Sequence, residues 1–261
     1  MNGVIYRPLI ESMRWSYSRI TSFENCPYAW YMKYIYGTEE KPNFYSSFGS
    51  FVHKLIESYY RGKIPQHDLA TQFLLGFPLE IKGRWPSSDL VDRYMMKGYQ
   101  YFQQFQPFEY NMVSVEDEIT FQINGNAFVG YIDFLGRDAD GLCVIDHKSR
   151  ELKRRSNRSR PTKKDEELDA FLKQLYLYSA GVKQKYGEFP AKLCFNCFKS
   201  GEFIEEPFNK DAFDAAVTWA TDEIERIKNV DTFRPRLDWF YCTNLCGFSD
   251  ECCYYNDFGR C

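Results

Sequence analysis

An aspartate and a lysine separated by one residue end an apolar segment in the middle of the chain. In the stretch "CVIDHKSR", Asp146 and Lys148 follow Val144 and Ile145. A carboxylate that binds a divalent cation, beside a lysine that stabilises charge on a phosphate, provides the groups needed to hydrolyse a phosphodiester. The same pattern also fits a strand that ends in solvent, with the lysine neutralising the aspartate. The neighbouring elements must decide between these interpretations.

Two hairpins are predicted around this pair. Segments rich in Val, Ile and Phe are separated by an Asn-Gly step and by an Asp-rich stretch that ends in Gly, which are typical hairpin turns. The predicted strands are 113–123, 127–137 and 142–148, and the predicted turns are 124–125 and 138–141.

The second hairpin allows two registers. With 139–140 as its loop, Asp133 lies opposite Asp146, whereas a loop at 140–141 places Asp133 opposite Lys148. Both registers put these three side chains on one face of the sheet, because side chains alternate with a period of two.

The first hairpin extends this stripe of charge. With 124–125 as its loop, Glu116 lies opposite Asp133. The carboxylates of Glu116, Asp133 and Asp146 then share one face of the sheet. Like charges directly across a ladder cost about 0.2 to 1 kcal/mol per pair. A hard divalent cation, Mg²⁺ or Mn²⁺, would remove that repulsion. The spacing therefore predicts a metal site.

The rest of the chain predicts a mixed α/β fold in which helices flank a central sheet. With 261 residues, of which 44% are apolar, the chain is long enough for one domain with a substantial core. Helical spacing predicts two short helices within 16–36 that meet at Cys26, and further helices at 46–61, 89–104, 166–185 and 209–228. The piece between 61 and 89 is predicted to be a loop or small insert, and 192–198 with 202–208 to be another hairpin.

These residues resemble the motifs of a known enzyme family. Gly130-Tyr131-Ile132-Asp133, twelve residues and then Asp146-His147-Lys148 resemble the core of the PD-(D/E)xK nuclease superfamily, specifically its RecB-like branch. The helix ahead of the sheet carries the matching G-x-x-x-H-x-x-x-E pattern in "GSFVHKLIE", and the helix after the lysine carries Q-x-x-x-Y in "QLYLY". The matching residues on these helices are Gly49, His53, Glu57, Gln174 and Tyr178.

The resemblance implies a role for each of these positions. The metal ion would be bound by His53, Asp133, Asp146 and the main-chain carbonyl of His147, and Lys148 would be catalytic. It further implies that Gln174 and Tyr178 position the substrate or the lysine. Glu57 and Glu116 are second-rank candidates. The implied fold is a restriction-endonuclease-like core at 111–230, within a single domain 1–261 that also has an N-terminal helical lobe at 1–110.

The overall charge is not typical of a protein that binds nucleic acid. The net charge is −3, yet Lys and Arg are concentrated between residues 148 and 164, a stretch predicted to be a mobile loop. Such a stretch is either a solvated linker or a loop that contacts phosphate, and the sequence leaves both open. The candidates for DNA contact are Arg150, Arg154 and Arg155.

Five of the nine cysteines lie in the last twenty residues. No apolar run has the length of a membrane span and the N-terminus has no secretory signal pattern, so we expect a soluble cytoplasmic protein whose cysteines bind metal or pack in the core. Together with Cys26, the tail at 231–261 resembles the iron-sulfur motif of AddB-type and CRISPR-adaptation nucleases, although its first spacing is x3 where x2 is usual. The implied 4Fe-4S ligands are Cys26, Cys242, Cys246 and Cys252, with Cys253 or Cys261 as replacements for Cys252; a four-cysteine Zn²⁺ site is the alternative. Cys143, Cys194 and Cys197 are predicted to be core residues.

The function predicted from these patterns is that of a metal-dependent DNA exonuclease. It would act on single-stranded DNA or DNA ends in recombination, repair or phage DNA processing. The sequence has no G-x-x-x-x-G-K-[ST] phosphate loop, so unwinding would require a helicase or recombination partner. The alternative is a DNA-binding or assembly subunit that keeps the nuclease fold without turnover.

Overall fold

A five-stranded mixed sheet forms the centre of the computed structural model, which describes residues 3–258. The strands lie in the order β1-β2-β3-β4-β5. Strands β3 and β4 are parallel and the other neighbours are antiparallel, as expected for a mixed sheet. The strands are β1 (Asn111–Ile123), β2 (Asn126–Arg137), β3 (Leu142–His147), β4 (Lys192–Cys197) and β5 (Glu202–Pro207).

The two hairpins predicted around Asp146 and Lys148 are present, as is the third, between β4 and β5. In the first, Ile123 pairs with Asn126 around an Asn-Gly turn whose two residues have φ values of 47° and 79°. In the second, Phe134 pairs with Ile145 and Arg137 with Leu142, which is the register with 139–140 as the loop. Asp133 therefore lies at the level of Asp146 and not of Lys148.

Ten α-helices surround the sheet within the part of the chain that the structure describes. The two short helices predicted to meet at Cys26 are present, and the second continues into a π-helical turn at Met32–Tyr36. The helices are α1 (Arg7–Glu11), α2 (Tyr17–Asn25), α3 (Pro27–Tyr31), α4 (Phe44–Tyr60), α5 (Leu69–Glu80), α6 (Ser88–Gln103), α7 (Lys163–Tyr186), α8 (Lys210–Lys228), α9 (Trp239–Asn244) and α10 (Cys253–Phe258).

Helix α5 corrects the prediction of a loop or small insert between residues 61 and 89. Gly76 and Pro78, which suggested a break, both lie within this helix. A Cβ atom at Gly76 would lie 2.4 Å from the ring of Phe51, so glycine here lets α5 pack closely on α4. Packing between helices therefore outweighed the low helix propensity of these two residues.

The N-terminal helices divide between two hydrophobic cores. Residues of α2 and α3, such as Ile20 and Trp30, pack with the sheet, α7 and α8 in the main core. Helices α4, α5 and α6 form a second core that contains Phe48, Phe73 and Phe102. The candidate residue His53 lies on α4, so this second core holds one side of the site against the sheet.

Helix α7 is the crossover between the parallel strands β3 and β4, and its first turn also anchors the preceding loop. Both carboxylate oxygens of Asp165 accept hydrogen bonds from Ser156, and one of them accepts two more from Thr162, all at 2.7 Å. These bonds, the one from the Ser156 backbone foremost, lower the pKa of Asp165. The basic stretch was predicted to be a mobile loop; it is irregular, and Ser156 holds it to the helix.

None of the helices within residues 3–258 combines the length and the apolar character needed to cross a bilayer.

Candidate active site

Asp133 on β2 is a buried carboxylate that faces helix α4. Its Oδ2 accepts a hydrogen bond from the His147 backbone N–H at 2.6 Å and lies 3.5 Å from His53 Nδ1. Burial alone would raise the pKa of Asp133, but the nearby His53 reverses that effect and the pKa is lowered. Burial alone would lower the pKa of His53, but the negative charge of Asp133 outweighs that effect and the pKa of His53 is raised.

Glu116 completes a group of three potential metal ligands with His53 and Asp133. One ligand atom from each residue lies within 4.8 Å of the other two. Glu116 belongs to β1, where a φ of 48° interrupts the regular ladder between Val115 and Asp117. Burial, followed by the negative charge of Asp133, raises the pKa of Glu116 to about 7. Sequence reasoning ranked Glu116 second, although the register of the first hairpin already placed it opposite Asp133.

Asp146 and Lys148 lie next to this group and contact residues of helix α7. Lys148 Nζ is 2.8 Å from Asp146 Oδ2 and donates a hydrogen bond of 2.7 Å to Gln174 Oε1. Gln174 Nε2 in turn donates to Asp146 Oδ1 at 2.7 Å and to the Tyr178 hydroxyl at 3.0 Å. One amide thus fixes the relative positions of the carboxylate, the ammonium group and the phenol.

Tyr178 can approach the sheet because Gly130 has no side chain. A Cβ atom at Gly130 would lie 2.6 Å from the Tyr178 ring. The first residue of the G-Y-I-D stretch and the last of the Q-x-x-x-Y stretch are therefore in direct contact. Since Gln174 and Tyr178 are one helical turn apart, both side chains point to the same end of the sheet.

His147 contacts His53 through both its backbone and its ring. Its carbonyl oxygen lies 3.0 Å from His53 Nε2. Its ring is buried, with its centroid 5.1 Å from that of the His53 ring and its Nδ1 3.2 Å from Asn196 Nδ2. Burial lowers the pKa of His147 to about 3. The main-chain carbonyl of His147 therefore lies beside the imidazole of His53.

The donors present fit a hard divalent cation. The site offers carboxylate oxygens, one carbonyl oxygen and one imidazole nitrogen, a set that suits Mg²⁺ or Mn²⁺. Asp146 Oδ2 is buried and forms an ion pair with Lys148 Nζ at 2.8 Å. Burial raises the pKa of Asp146 although Lys148 opposes the rise, so a positive charge at this point would be stabilising. Glu57 instead pairs with Arg61, at 2.6 Å.

The three arginines predicted to contact DNA occupy different surroundings. The guanidinium of Arg150 lies 5.4 Å from the centroid of the Phe171 ring, and Lys148 Nζ lies 5.4 Å from the same centroid, so Arg150 is next to the site. The other two arginines are engaged in contacts beside β5. Arg154 contacts Glu202 and the Phe203 carbonyl, and Arg155 pairs with Asp169 and Glu206.

Four cysteines from the two ends of the chain line one small cavity. These are Cys26 between α2 and α3, Cys242 on α9, and Cys246 and Cys252 in the segments that follow. Cys253 is exposed and its Sγ lies 3.7 Å from the Tyr28 hydroxyl, whereas Cys261 lies outside the described residues. Cys143, Cys194 and Cys197 are fully buried beside apolar neighbours, which confirms that they are core residues.

Comparisons with known proteins agree with this geometry. The model of the PD-(D/E)XK nuclease superfamily matches residues 14–253. The fold is similar to the crystal structure of a protein from Eubacterium rectale described as a "putative exonuclease", with a TM-score of 0.53 and 13% sequence identity over 94% of this chain and 90% of that chain. No curated protein matches the chain.

Proposed function

Because the chain belongs to the PD-(D/E)XK nuclease superfamily, we propose that it is a metal-dependent DNA exonuclease. Its substrates would be single-stranded DNA or DNA ends, in recombination, repair or phage DNA processing. A helicase or recombination partner would supply unwinding. The observation that carries the proposal is the buried Asp146 carboxylate with Lys148 at 2.8 Å, together with the potential metal ligands His53, Glu116 and Asp133.

The residues of the site would have distinct roles in metal binding and in catalysis. His53, Asp133, Asp146 and the carbonyl of His147 would hold Mg²⁺ or Mn²⁺, and Glu116 is added to this set because its carboxylate is in reach of His53 and Asp133. When bound, the ion would supply a water of lowered pKa and charge stabilisation at the phosphate.

Lys148 would place its ammonium group against a non-bridging phosphate oxygen, because it is the cation nearest to the carboxylates. Gln174 would act as a positioning residue, since its amide bonds both Asp146 and Lys148. Tyr178 would hold that amide in place through its hydroxyl. The buried positions of these groups reduce the rearrangement needed during reaction.

The four clustered cysteines would bind a 4Fe-4S cluster that joins the first helices to the tail. A 4Fe-4S cluster is held by four cysteine thiolates, the number that line this cavity. The alternative is a single Zn²⁺ bound by the same four thiolates.

The nuclease proposal is tested with labelled linear and circular DNA, single- and double-stranded, in Mn²⁺ or Mg²⁺. We expect digestion of linear single strands from an end, no digestion of circles, and loss of activity in Asp146→Asn and Lys148→Ala. The matched controls are Asp214→Asn and Lys210→Ala, which remove the same charges from an exposed ion pair on α8. Equal activity in all five proteins would contradict the assignment of the site. An inactive wild type that binds DNA would instead favour the subunit without turnover.

The cluster proposal is tested by iron and sulfide analysis after anaerobic purification. Cys26→Ala should lose the cluster, because Cys26 lines the cavity, whereas the exposed Cys253→Ala should keep it. Stoichiometric zinc without iron would contradict the proposal.

A further inference from the structure

A positively charged surface lies beside the candidate active site, where α6, the loop after β3 and the turn between β4 and β5 meet. Lys97 on α6 donates a hydrogen bond of 3.0 Å to Glu151 Oε1, and Lys199 in the turn has its Nζ 3.9 Å from the same oxygen. Lys199 Nζ also lies 4.8 Å from the centroid of the Tyr94 ring. Two ammonium groups from distant parts of the chain therefore share one carboxylate oxygen. We call this group the Lys97–Lys199 surface.

Two lysines share a single carboxylate at this surface. The side chain of Lys199 is only 20% exposed, and burial lowers its pKa. Glu151 opposes that lowering, while the positive charges of Lys97, Arg150 and Arg93 add to it. Arg150 also pairs with Glu167, at 3.1 Å, so the cations that depend on Glu151 are Lys97 and Lys199. An anion with more charge and more acceptor oxygens than Glu151 would be bound more strongly by these two lysines.

The surface continues directly from the site. Arg150 follows Lys148 by two residues, and both cations lie 5.4 Å from the centroid of the Phe171 ring. Glu151 comes one residue later, which places it within about 10 Å of Lys148 along the backbone. Along one strand of a duplex, phosphates follow each other every 3.4 Å or so of helix axis. The separation therefore corresponds to a few nucleotides of a strand.

We propose that Lys97 and Lys199 bind backbone phosphates of the substrate strand a few nucleotides from the scissile bond. In the free protein the carboxylate of Glu151 occupies the position between the two ammonium groups, and the entering strand displaces it. This inference rests on the proposed nuclease function, and it adds the path of the strand, which runs from Lys148 past Arg150 toward α6. Glu151 then acts as a competitor of the substrate.

Binding to a labelled single-stranded oligonucleotide tests the proposal by fluorescence anisotropy over a range of salt. The Asp146→Asn background prevents cleavage during the measurement. Lys97→Ala and Lys199→Ala should each weaken binding about threefold to fivefold and reduce the slope of log K against log salt by about 0.7. Lys199→Gln keeps the aliphatic stem against Tyr94 and should behave like the alanine variant. Glu151→Gln should bind more tightly than the parent, because the competing charge is removed.

Lys210→Ala is the matched control, since it removes one lysine charge from the exposed face of α8. In the catalytically intact protein, the Lys97 and Lys199 variants should raise KM for a long strand without changing kcat. They should leave the cleavage of a dinucleotide unchanged, because it is too short to reach the surface.

Two results would overturn the inference. One is a salt slope for the Lys97 and Lys199 variants equal to that of Lys210→Ala, and the other is unchanged binding in Glu151→Gln. Failure of the nuclease proposal would look different, because the wild type would not cleave any DNA while the anisotropy measurement would still decide whether these lysines bind a strand.

Discussion

Replacing Gln174 with methionine should separate positioning from folding at this site. Methionine has a similar length and volume but neither donates nor accepts the hydrogen bonds that Gln174 makes to Asp146, Lys148 and Tyr178, at 2.7, 2.7 and 3.0 Å. Of these three, the bonds to Asp146 and Lys148 involve charged groups.

The expected size of the effect follows from those contacts. A hydrogen bond to a charged group contributes about 1.5 to 3 kcal/mol. Lys148 keeps its contact with Asp146 after the change, so we count the loss of one such bond in the transition state. That loss corresponds to a decrease of about 10- to 100-fold in kcat, the range typical of residues that orient metal ligands. KM for DNA should change little, because Gln174 itself is not expected to contact the strand.

The assay compares steady-state cleavage by wild type, Gln174→Met and the control Gln100→Met, which lies on the exposed face of α6. Thermal unfolding should show a loss of about 1 to 3 kcal/mol for Gln174→Met, because the buried Asp146 loses a partner. Adding Tyr178→Phe should cost less in the Gln174→Met background than in wild type, since the hydroxyl contacts the same amide. A kcat within twofold of wild type would refute the positioning role.

Three further changes test other parts of the structure. Gly130→Ala should destabilise the protein by about 1 to 3 kcal/mol in chemical denaturation, because the new methyl group would lie 2.6 Å from the Tyr178 ring. Gly49→Ala on α4 should stabilise it by about 0.5 to 1 kcal/mol, since the nearest atom lies 4.0 Å away. Asp165→Asn should speed tryptic cleavage within 149–162. Folding lowers the pKa of Asp165. The difference in thermal stability between wild type and this variant should therefore be largest near neutral pH and should decrease on acidification.

The sheet could be predicted closely because its turns are local signals. A two-residue Asn-Gly turn requires a left-handed backbone at both residues, and both have a positive φ. The register that places Glu116 opposite Asp133 therefore followed from this one turn. The second hairpin allowed two loops, and only the three-dimensional pairing of Phe134 with Ile145 distinguished them. The expected convergence of residues on one face depended on strand periodicity alone and needed no long-range information.

Other parts depended on contacts that no local pattern contains. Helix α5 was missed because its stability comes from packing against α4 and α6, which compensates for Gly76 and Pro78. The meeting of Lys97 with Lys199 joins residues about one hundred positions apart, and neither residue stands in a run of basic residues. Arg155, which does stand in such a run, pairs with two carboxylates. Charge density along the sequence was therefore a poor guide to charge density on the surface.

The left-handed backbone at Glu116 has a consequence for how this protein can be improved. A residue with a side chain at a φ of 48° costs the folded state roughly 1 to 2 kcal/mol that glycine would not. A laboratory search for heat tolerance would accordingly favour glycine at this position. The more heat-stable protein would have lost a carboxylate beside His53 and Asp133. Selection for thermal stability and selection for activity should therefore act on this residue in opposite directions.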